Sequence, residues 1–406
     1  MTVPAGRGRW RFTLHSRQFA SGTTYQQNII TELTAARGRR LELAWNTPAR
    51  ATFTIDGHHS QAAQVAELAT DVMCWRWDDA TNADKCMFKG IVTQSEDQLD
   101  TDSHSVTFTC QDYAAMLSRR LLTATYAVTG LDQDFIVADL VTRATTTSSS
   151  SGTSLSPGAY LPLGPVQYMN PDGSGRAVSG RTRDRTYFPQ TNIGEAFDAL
   201  SKVINGFDYD INYLTDRLRI WYPYQGVTRT DVELQYGNQV AGLTRSVNSA
   251  DYSNYWRAVG NNGSSDPNAA QLYSEAWNND ANNVTVVSYG LWMGDDNSTA
   301  DVTLLATLAD KVNGDLALWG NIVAAYTLTM RPGAYRYGYP NMGDVVPLIV
   351  NAGRLHVNTT VRVLGIGFDI SDDAAEDVTL TVGRPSRTLA DLFAQADASL
   401  GALTRR

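Results

Sequence analysis

An internal repeat constrains this chain more than any other feature of its sequence. Two strand-like runs, Met87–Thr93 and Ser105–Cys110, flank an acidic connection and lead into a helix-like run. A similar series recurs over Val363–Phe393, where Gly365 corresponds to Gly90 and each is followed by isoleucine. Because repeated supersecondary units determine the whole architecture, this repeat limits the folds that the chain can adopt.

The similarity extends upstream of both series. Ala51–Ile55 and Asp71–Trp75 precede the first, and Ala325–Thr329 and Asp344–Leu348 precede the second. Alternating Val and Thr are what any strand uses, so chance resemblance is an alternative explanation. Four matching runs in the same order, separated by 20 and 19 residues and then by 19 and 21, favour two copies of a four-strand unit.

Composition restricts the class of function. The 406-residue chain is 43% hydrophobic and carries a net charge of −9 with a pI of about 5.1. A nucleic-acid-binding protein is expected to show a basic patch, and the few arginine clusters here are more typical of solvated faces or subunit contacts. The sequence has no apolar run of 18 residues and begins without the apolar core of a signal peptide, so we expect no membrane segment.

These patterns predict an α+β fold that is mainly β, with the following organisation. The predicted parts are a first β domain (1–125, with repeat one at about 51–122), a short helix and a long uncharged loop or arm (126–190), a middle α+β domain (191–300), a second β domain with a leading helix (301–388, with repeat two at about 325–388), and a tail helix (389–406). Asn192 and Glu195 form a helix-capping signature.

No catalytic constellation is evident, and we expect neither a metal nor a cofactor. His58, His59 and His104 lack the spacing of a zinc site. The acidic hairpin segments lack the alternating pattern of an EF-hand, and no nucleophile elbow or phosphate-binding loop is present. The three cysteines are interpreted as small buried apolar residues. We therefore expect a protein that is not an enzyme.

The chain resembles the tail hub proteins, also called tail-tip or baseplate hub proteins, of long-tailed phages. The likeness is strongest to the minor tail proteins of actinobacteriophages. The resemblance is carried by Phe88–Val92 leading to Val106–Tyr113, by Asn192–Tyr222, by Asn254–Gly260, and by Gly343–Val346 leading to Val378–Val382. It covers most of the chain as an order of loosely patterned elements.

The resemblance implies that domains 1–125 and 301–388 are tube-like β-barrel domains, and that a homotrimer brings these two domains per chain together in a pseudo-sixfold ring. That ring would join the tail tube or distal tail protein to tip fibres or receptor-binding proteins, beside the tape measure protein. It implies a place in the virion, at the phage tail tip, after assembly in the host cytoplasm, with DNA passing only in transit.

A channel crossed by DNA should carry carboxylates, since basic side chains would retain phosphates. We therefore predict that Glu96, Asp97, Asp372 and Asp373 face the lumen or a neighbouring subunit. Two alternatives remain open: a carbohydrate-binding protein of the tail tip, favoured by the tryptophans and tyrosines, and a cell-wall hydrolase. The host, its receptor, the partner that meets each face and the order of the 144–190 arm are not encoded in any recognisable pattern.

Overall fold

The fold is seen in a computed structural model. It describes residues 9–20, 24–146, 161–203, 205–249, 252–260, 271–278, 288–296, 305–320, 323–372 and 375–383. The chain divides into two compact units: unit 1 comprises 1–243 and 327–382, and unit 2 comprises 244–326 and 383–406. The predicted tail helix 389–406 lies outside the described residues.

Strands dominate both units. In chain order the regular elements before residue 150 are β1 (Trp10–Ala20), β2 (Thr24–Glu32), β3 (Arg37–Ala44), β4 (Thr47–Asp56), β5 (Thr70–Asp78), β6 (Ala83–Leu99), β7 (His104–Asp112), a 3₁₀ helix (Tyr113–Arg119), β8 (Tyr126–Asp132) and α1 (Gln133–Thr146). The elements that follow are β9 (Gly164–Met169), β10 (Thr182–Tyr187), α2 (Ile193–Ser201), β11 (Asp208–Asn212), β12 (Arg217–Trp221), β13 (Leu234–Gln235), β14 (Val240–Asn248), β15 (Tyr255–Gly260), β16 (Leu272–Trp277), β17 (Met293–Asp296), α3 (Leu305–Trp319), β18 (Val323–Met330), β19 (Val345–Ala352), β20 (Leu355–Ile370) and β21 (Glu376–Gly383).

The two predicted repeats have the same strand order. In copy one the strands pair as β4-β7-β6-β5, and in copy two as β18-β21-β20-β19. Each copy contains one long strand, β6 with 17 residues and β20 with 16. A chance likeness between alternating strands does not require identical pairing order, so the repeat is a property of the fold.

Both copies belong to one sheet. Its order is β14-β18-β21-β20-β3-β4-β7-β6-β5-β1-β2, and β19 and β13 extend it beside β20. Among the described residues this path does not return on itself, so the single chain shows no closed barrel. The described strands form one open sheet that contains both repeats, and two tube-like barrels stay a prediction.

The pairing register corrects the sequence match between the copies. Gly90 lies opposite Val72, whereas the residue opposite Val345 is Arg362, so Gly90 does not correspond to Gly365. β6 carries one additional residue between Val92 and Gln94. When the two copies are aligned, the positions before and after this bulge are therefore offset by one residue. A bulge adds a residue to one strand without changing the fold, and it defeats a match based on a shared Gly-Ile pair.

The match between the first strands of the copies also moves by one residue. Phe53 and Ile55 are buried in β4, and Leu328 and Met330 are buried in β18. Side chains alternate between the two faces of a strand, so Ala51 and Ala325 lie on different faces and do not correspond. The runs Thr52–Ile55 and Thr327–Met330 share the pattern Thr-apolar-Thr-apolar, and Thr54 therefore corresponds to Thr329.

A second layer covers copy one. α1, α2 and the three-stranded sheet β11-β12-β9 pack around one buried cluster. The helical spacing of Ile136, Val137, Leu140 and Val141 predicts one apolar stripe on α1, and all four side chains are buried. The interpretation of 144–190 as one long loop is wrong for its second half, because β9 and β10 lie there.

Unit 2 is a small α/β sandwich of its own. Its sheet has the order β16-β15-β17, and α3 packs on one face through Leu308 and Val312, against Ala258 and Ala276. The spacing of Leu305, Leu308, Val312 and Leu316 predicts one apolar stripe on this helix; Leu308 and Val312 are buried as expected, whereas Leu305 is exposed.

Candidate functional site: the sheet edges and the polar face

The junction between the two repeats is a pair of antiparallel strands. Residues Gly365–Ile370 of β20 pair with Ala44–Arg39 of β3 in an unbroken register. Arg40 Nε lies 3.5 Å from Asp369, and Arg39 donates to the carbonyl of Ser371 at 2.8 Å. Edge pairing and opposite charge therefore join copy one to copy two inside each chain.

A buried ion pair strengthens this junction. Arg76 of β5 binds Glu376 of β21 through Nε at 3.0 Å and Nη2 at 2.5 Å, and both side chains are almost fully buried. Trp10 Nε1 donates to the same carboxylate at 2.7 Å. The Trp10 ring also packs on Phe368, with centroids 5.0 Å apart. Elements 300 residues apart in sequence are thus fixed to each other.

One face of the sheet is lined with threonine. In copy one, Thr52 lies opposite Thr109 and Thr54 lies opposite Thr107, with their hydroxyls 2.9 Å apart in the second pair. Copy two repeats this face with four further threonines, Thr327, Thr329, Thr379 and Thr381. The opposite face carries the buried apolar side chains. The two repeats therefore present one continuous polar surface.

The four predicted contact residues are distributed over different surfaces. Glu96 lies opposite Thr107 and so belongs to the threonine face, whereas Asp97 lies opposite Val106 and projects to the other face. Asp97 binds His104 Nε2 at 2.8 Å. Asp372 is exposed, 4.0 Å from Arg37, and Asp373 lies outside the described residues. Glu96 and Asp97 cannot line the same surface, and whether any of the four faces a lumen stays a prediction.

Several sheet edges are open among the described residues, including those of β2 and β13, and two further open edges belong to β14 and to the end of β6. β14 ends the strand order, with only β18 beside it. The end of β6, Gln94–Leu99, pairs with β7 on one side, and no described strand pairs with its other side. Unpaired strand edges are ready-made sites for pairing with another chain. Sequence reasoning identified the β6 segment only by its charge and missed β14, because an edge is a property of pairing.

Two buried acids and a half-buried thiol lie inside copy one, away from these surfaces. Burial raises the pKa of Asp71 to about 6, and raises that of Asp112 to about 7. Asp112 accepts hydrogen bonds from the backbone amides of Ala49 and Ala114. Desolvation also raises the pKa of the half-buried Cys86 thiol to about 12, which keeps it protonated at neutral pH.

Possible metal ligands and a cavity are the features of the described residues that bear on catalysis. Among the described residues, no group of three or more His, Cys, Asp or Glu side chains could hold a metal ion. A cavity of about 640 Å³ in unit 1 is lined by Asp210 and Arg219, but these bind each other at 2.6 Å. No helix in the described part of the chain has the length and apolar character needed to cross a bilayer.

An exposed aromatic surface lies on the sheet of unit 2. Tyr255 is flanked by Trp277 on β16 and by Met293 on β17, and Tyr273 lies further along the same face. Trp277 and Tyr273 are each 49% exposed, and Met293 is 63% exposed. Arg257 and Glu275 lie between these aromatic residues on the same face, and the Arg257 guanidinium lies 4.5 Å from the Tyr273 ring centroid. Exposed aromatic side chains beside charged groups are typical of partner- or ligand-binding sites.

Comparison with known proteins places the fold. No family model matches the sequence, and no curated protein matches it. Solved structures do: the 43 kDa tail protein of prophage MuSo2 from Shewanella oneidensis aligns with a TM-score of 0.59 at 12% identity, over 93% of this chain and 99% of that one. A tail protein from Neisseria meningitidis MC58 gives 0.54 at 10% identity, over 93% and 97%.

A third structure agrees. Prophage tail protein gp18 from Listeria monocytogenes aligns with a TM-score of 0.52 at 10% identity, over 97% of this chain and 99% of that one. The chain has the fold of prophage tail proteins. The resemblance stated from the sequence is confirmed at this level, and the relation to actinobacteriophages stays a prediction.

Proposed function

We propose that this protein is a structural tail hub that assembles as a homotrimer. In this role it joins the sixfold tail tube or distal tail protein to the threefold tail tip and forms part of the DNA channel. The observation that carries the proposal is the pair of repeats with identical strand order, β4-β7-β6-β5 and β18-β21-β20-β19, joined edge to edge. Its fold is that of prophage tail proteins.

The repeats supply the symmetry that such an adaptor needs. Three chains bring six similar units around one axis, and a closed ring of them matches a sixfold partner on one side. Elements that accompany only one of the two copies are present once per chain, and therefore three times in the trimer. The layer of α1, α2 and β11-β12-β9 covers copy one, so it supplies a threefold feature. One chain can therefore present both symmetries.

The threonine face suits a channel for DNA in transit. Its hydroxyls are neutral, and Glu96 adds negative charge to it. Arg40 is held by Glu42 at 2.8 Å and by Asp369, which leaves its charge compensated. Arg50 also lies on this face, where it donates to the Thr109 hydroxyl at 3.5 Å. Since retention of DNA depends on cations that neutralise phosphates, a surface on which hydroxyls and carboxylates outnumber such cations lets the duplex pass. In this role the expected neighbours are the tape measure protein and the tip fibres or receptor-binding proteins, in the virion.

The decisive experiment is the mass and image of the assembled protein. The chain is mixed with its phage's distal tail protein, and the complexes are analysed by native mass spectrometry and electron microscopy. We expect three copies per sixfold ring, with six similar units visible around the axis. Two, four or six copies per ring would contradict the adaptor role.

A second candidate function has one specific observation in its favour. The exposed aromatic face of unit 2, with Tyr255, Tyr273 and Trp277, is suited to stacking against a host-surface carbohydrate. Glycan-array binding by the isolated protein, lost in Trp277→Ala, would support this role. The similar solved structures are tail proteins, which favours a non-enzymatic protein, and we expect no clearing of peptidoglycan in a zymogram.

A further inference from the structure

The open edges of β14 and of the end of β6 are the counterparts of two edges that are joined inside the chain. β14 pairs with β18 as β3 pairs with β4, and β6 lies in copy one as β20 lies in copy two. In the chain, β3 covers the end of β20. By the same relation, β14 is the strand that would cover the end of β6, and since β14 and β6 of one chain do not pair with each other, it would come from another copy.

The equivalence of β6 and β20 can be fixed to single residues. Gln94 lies opposite Thr109. Gly365 faces Thr381, since a Cβ added to that glycine would lie 3.3 Å from the threonine side chain. Thr109 and Thr381 occupy the same place in matching Val-Thr-apolar-Thr runs, so Gln94–Leu99 corresponds to Gly365–Ile370. Both strands end at the last residue of this match.

The equivalence of β14 and β3 follows from the threonines that each strand faces. Arg40 of β3 lies opposite Thr52, beyond a bulge between Arg37 and Arg40. A Cβ on Gly242 of β14 would lie 3.5 Å from the Thr329 hydroxyl, so Thr244, two residues further on, faces Thr327. Because Thr52 corresponds to Thr327, Arg40 corresponds to Thr244, and the paired segment 39–44 of β3 corresponds to 243–248 of β14, where both strands also end.

Transferring the known register to the open edges gives six predicted cross-strand pairs. In the order along β6 they are Gln94–Asn248, Ser95–Val247, Glu96–Ser246, Asp97–Arg245, Gln98–Thr244 and Leu99–Leu243. The fourth pair brings opposite charges face to face, and the sixth brings two leucines together. Nothing in the register transfer uses charge, so this complementarity is an independent observation in its favour.

Exposure agrees with a missing partner. In copy two, where β3 covers the edge, Ile366, Phe368 and Ile370 are at most 3% exposed. In copy one, Leu99 is 73% exposed, and Glu96, Asp97 and Gln98 are exposed beside it. On β14, Arg245 is exposed and Val247 is 43% exposed. The same structural position is therefore buried where its partner strand is in the chain and open where it is not.

We infer that Gln94–Leu99 of one copy pairs antiparallel with Leu243–Asn248 of a second copy, with Asp97 opposite Arg245. The joint is head-to-tail, so it closes into a ring or continues as a filament according to its rotation. The inference rests on the proposed assembly of several copies, but it goes further by naming the strands, the register and the charge pair that join them.

Charge reversal tests the joint. Asp97→Arg and Arg245→Asp each place like charges opposite one another, and each should weaken self-association about tenfold or more. The double variant restores opposite charges and should recover most of the lost association. Asp102→Arg is the matched control, because it makes the same charge change in the exposed turn beyond the paired segment. Association is measured by analytical ultracentrifugation, and circular dichroism checks that each variant folds.

Disulfide trapping tests the register. Glu96→Cys with Ser246→Cys in one chain should give disulfide-linked multimers under mild oxidation. Glu96→Cys with Thr244→Cys, two residues out of register, should give fewer. The unchanged chain and each single variant control for the natural cysteines, of which Cys74 and Cys110 are buried.

The outcomes separate the joint from the proposed function. Trimers that survive both charge reversals, with no trapped multimers, would overturn the strand pairing and leave the hub role intact. Better trapping by the 96–244 pair would overturn the register. Trapped multimers and rescue by the double variant, in assemblies that are not threefold, would support the joint and contradict the hub.

Discussion

The buried ion pair between the repeats allows a quantitative prediction. Glu376→Ala removes the carboxylate that binds the Arg76 guanidinium and leaves the Trp10 indole N–H without its acceptor. The Arg76 and Glu376 side chains are 3% and 2% exposed, so water cannot replace the carboxylate. Breaking one partner of such a pair costs about 3–5 kcal/mol, and an unsatisfied N–H adds to that cost.

We therefore expect Glu376→Ala to lower the free energy of unfolding of unit 1 by about 4 kcal/mol, a large part of the ~5–15 kcal/mol typical of a protein. In urea this shifts the unfolding midpoint by roughly 1–2 M. Arg76→Met combined with Glu376→Gln should be clearly more stable than Glu376→Ala, because no uncompensated charge remains and an acceptor for Trp10 is kept.

The assay is urea unfolding followed by tryptophan fluorescence and by circular dichroism, for the unchanged chain and each variant. Arg40→Ala is the control, since its ion pairs lie at the same junction but its side chain is 54% exposed, and we expect a loss under about 1 kcal/mol. A loss of that small size for Glu376→Ala would refute the reasoning that buried charge fixes the two repeats together.

Three further variants test other parts of the fold. Burial raises the pKa of Asp112 to about 7, above its value in the unfolded chain. Its contribution to stability is therefore full below about pH 4 and is lost as the pH rises through about 7. Asp112→Asn should remove this pH dependence from urea midpoints measured between about pH 4 and about pH 7. Gly343→Ala should lower the melting temperature far more than Gly353→Ala, because both have positive φ but only at Gly343 would a Cβ collide with a neighbouring backbone. Asn192→Ala should cost about 1 kcal/mol in the same unfolding assay, since the Asn192 side chain accepts the Glu195 amide at 3.2 Å.

Local signals in the sequence predicted the local structure well. The α1 stripe of Ile136 and Leu140 is buried as expected, and Asn192 caps α2. These features depend on neighbours within four residues, which the sequence displays directly. The order of strands in each repeat was likewise readable, because period-2 runs mark strands wherever they lie.

Long-range features were not readable in the same way. The register between the copies depends on a bulge near Thr93, and the shared Gly-Ile pair at Gly90 and Gly365 pointed to the wrong match. The Arg76–Glu376 pair joins positions 300 residues apart, and no local pattern distinguishes its members from surface charges. The β9 and β10 strands were missed because their side chains are only partly buried and show no clean alternation of hydrophobicity.

Corresponding positions are apolar in β20 and polar in β6, and this difference follows from the time at which each strand edge meets its partner strand. In β20, Ile366 and Phe368 occupy the places that Ser95 and Asp97 take in β6. The β20 edge is covered by β3 of its own chain as soon as the chain folds, so apolar side chains there are never presented to other molecules. The β6 edge has to remain soluble until a second copy arrives, and charged residues on an open edge prevent indiscriminate pairing. An aspartate at position 97 meets that need and still selects a partner strand that carries Arg245. If this account is correct, Asp97→Phe, which restores the residue type found in copy two, should promote aggregation of the isolated chain, measurable by light scattering, whereas Asp102→Phe in the neighbouring turn should not.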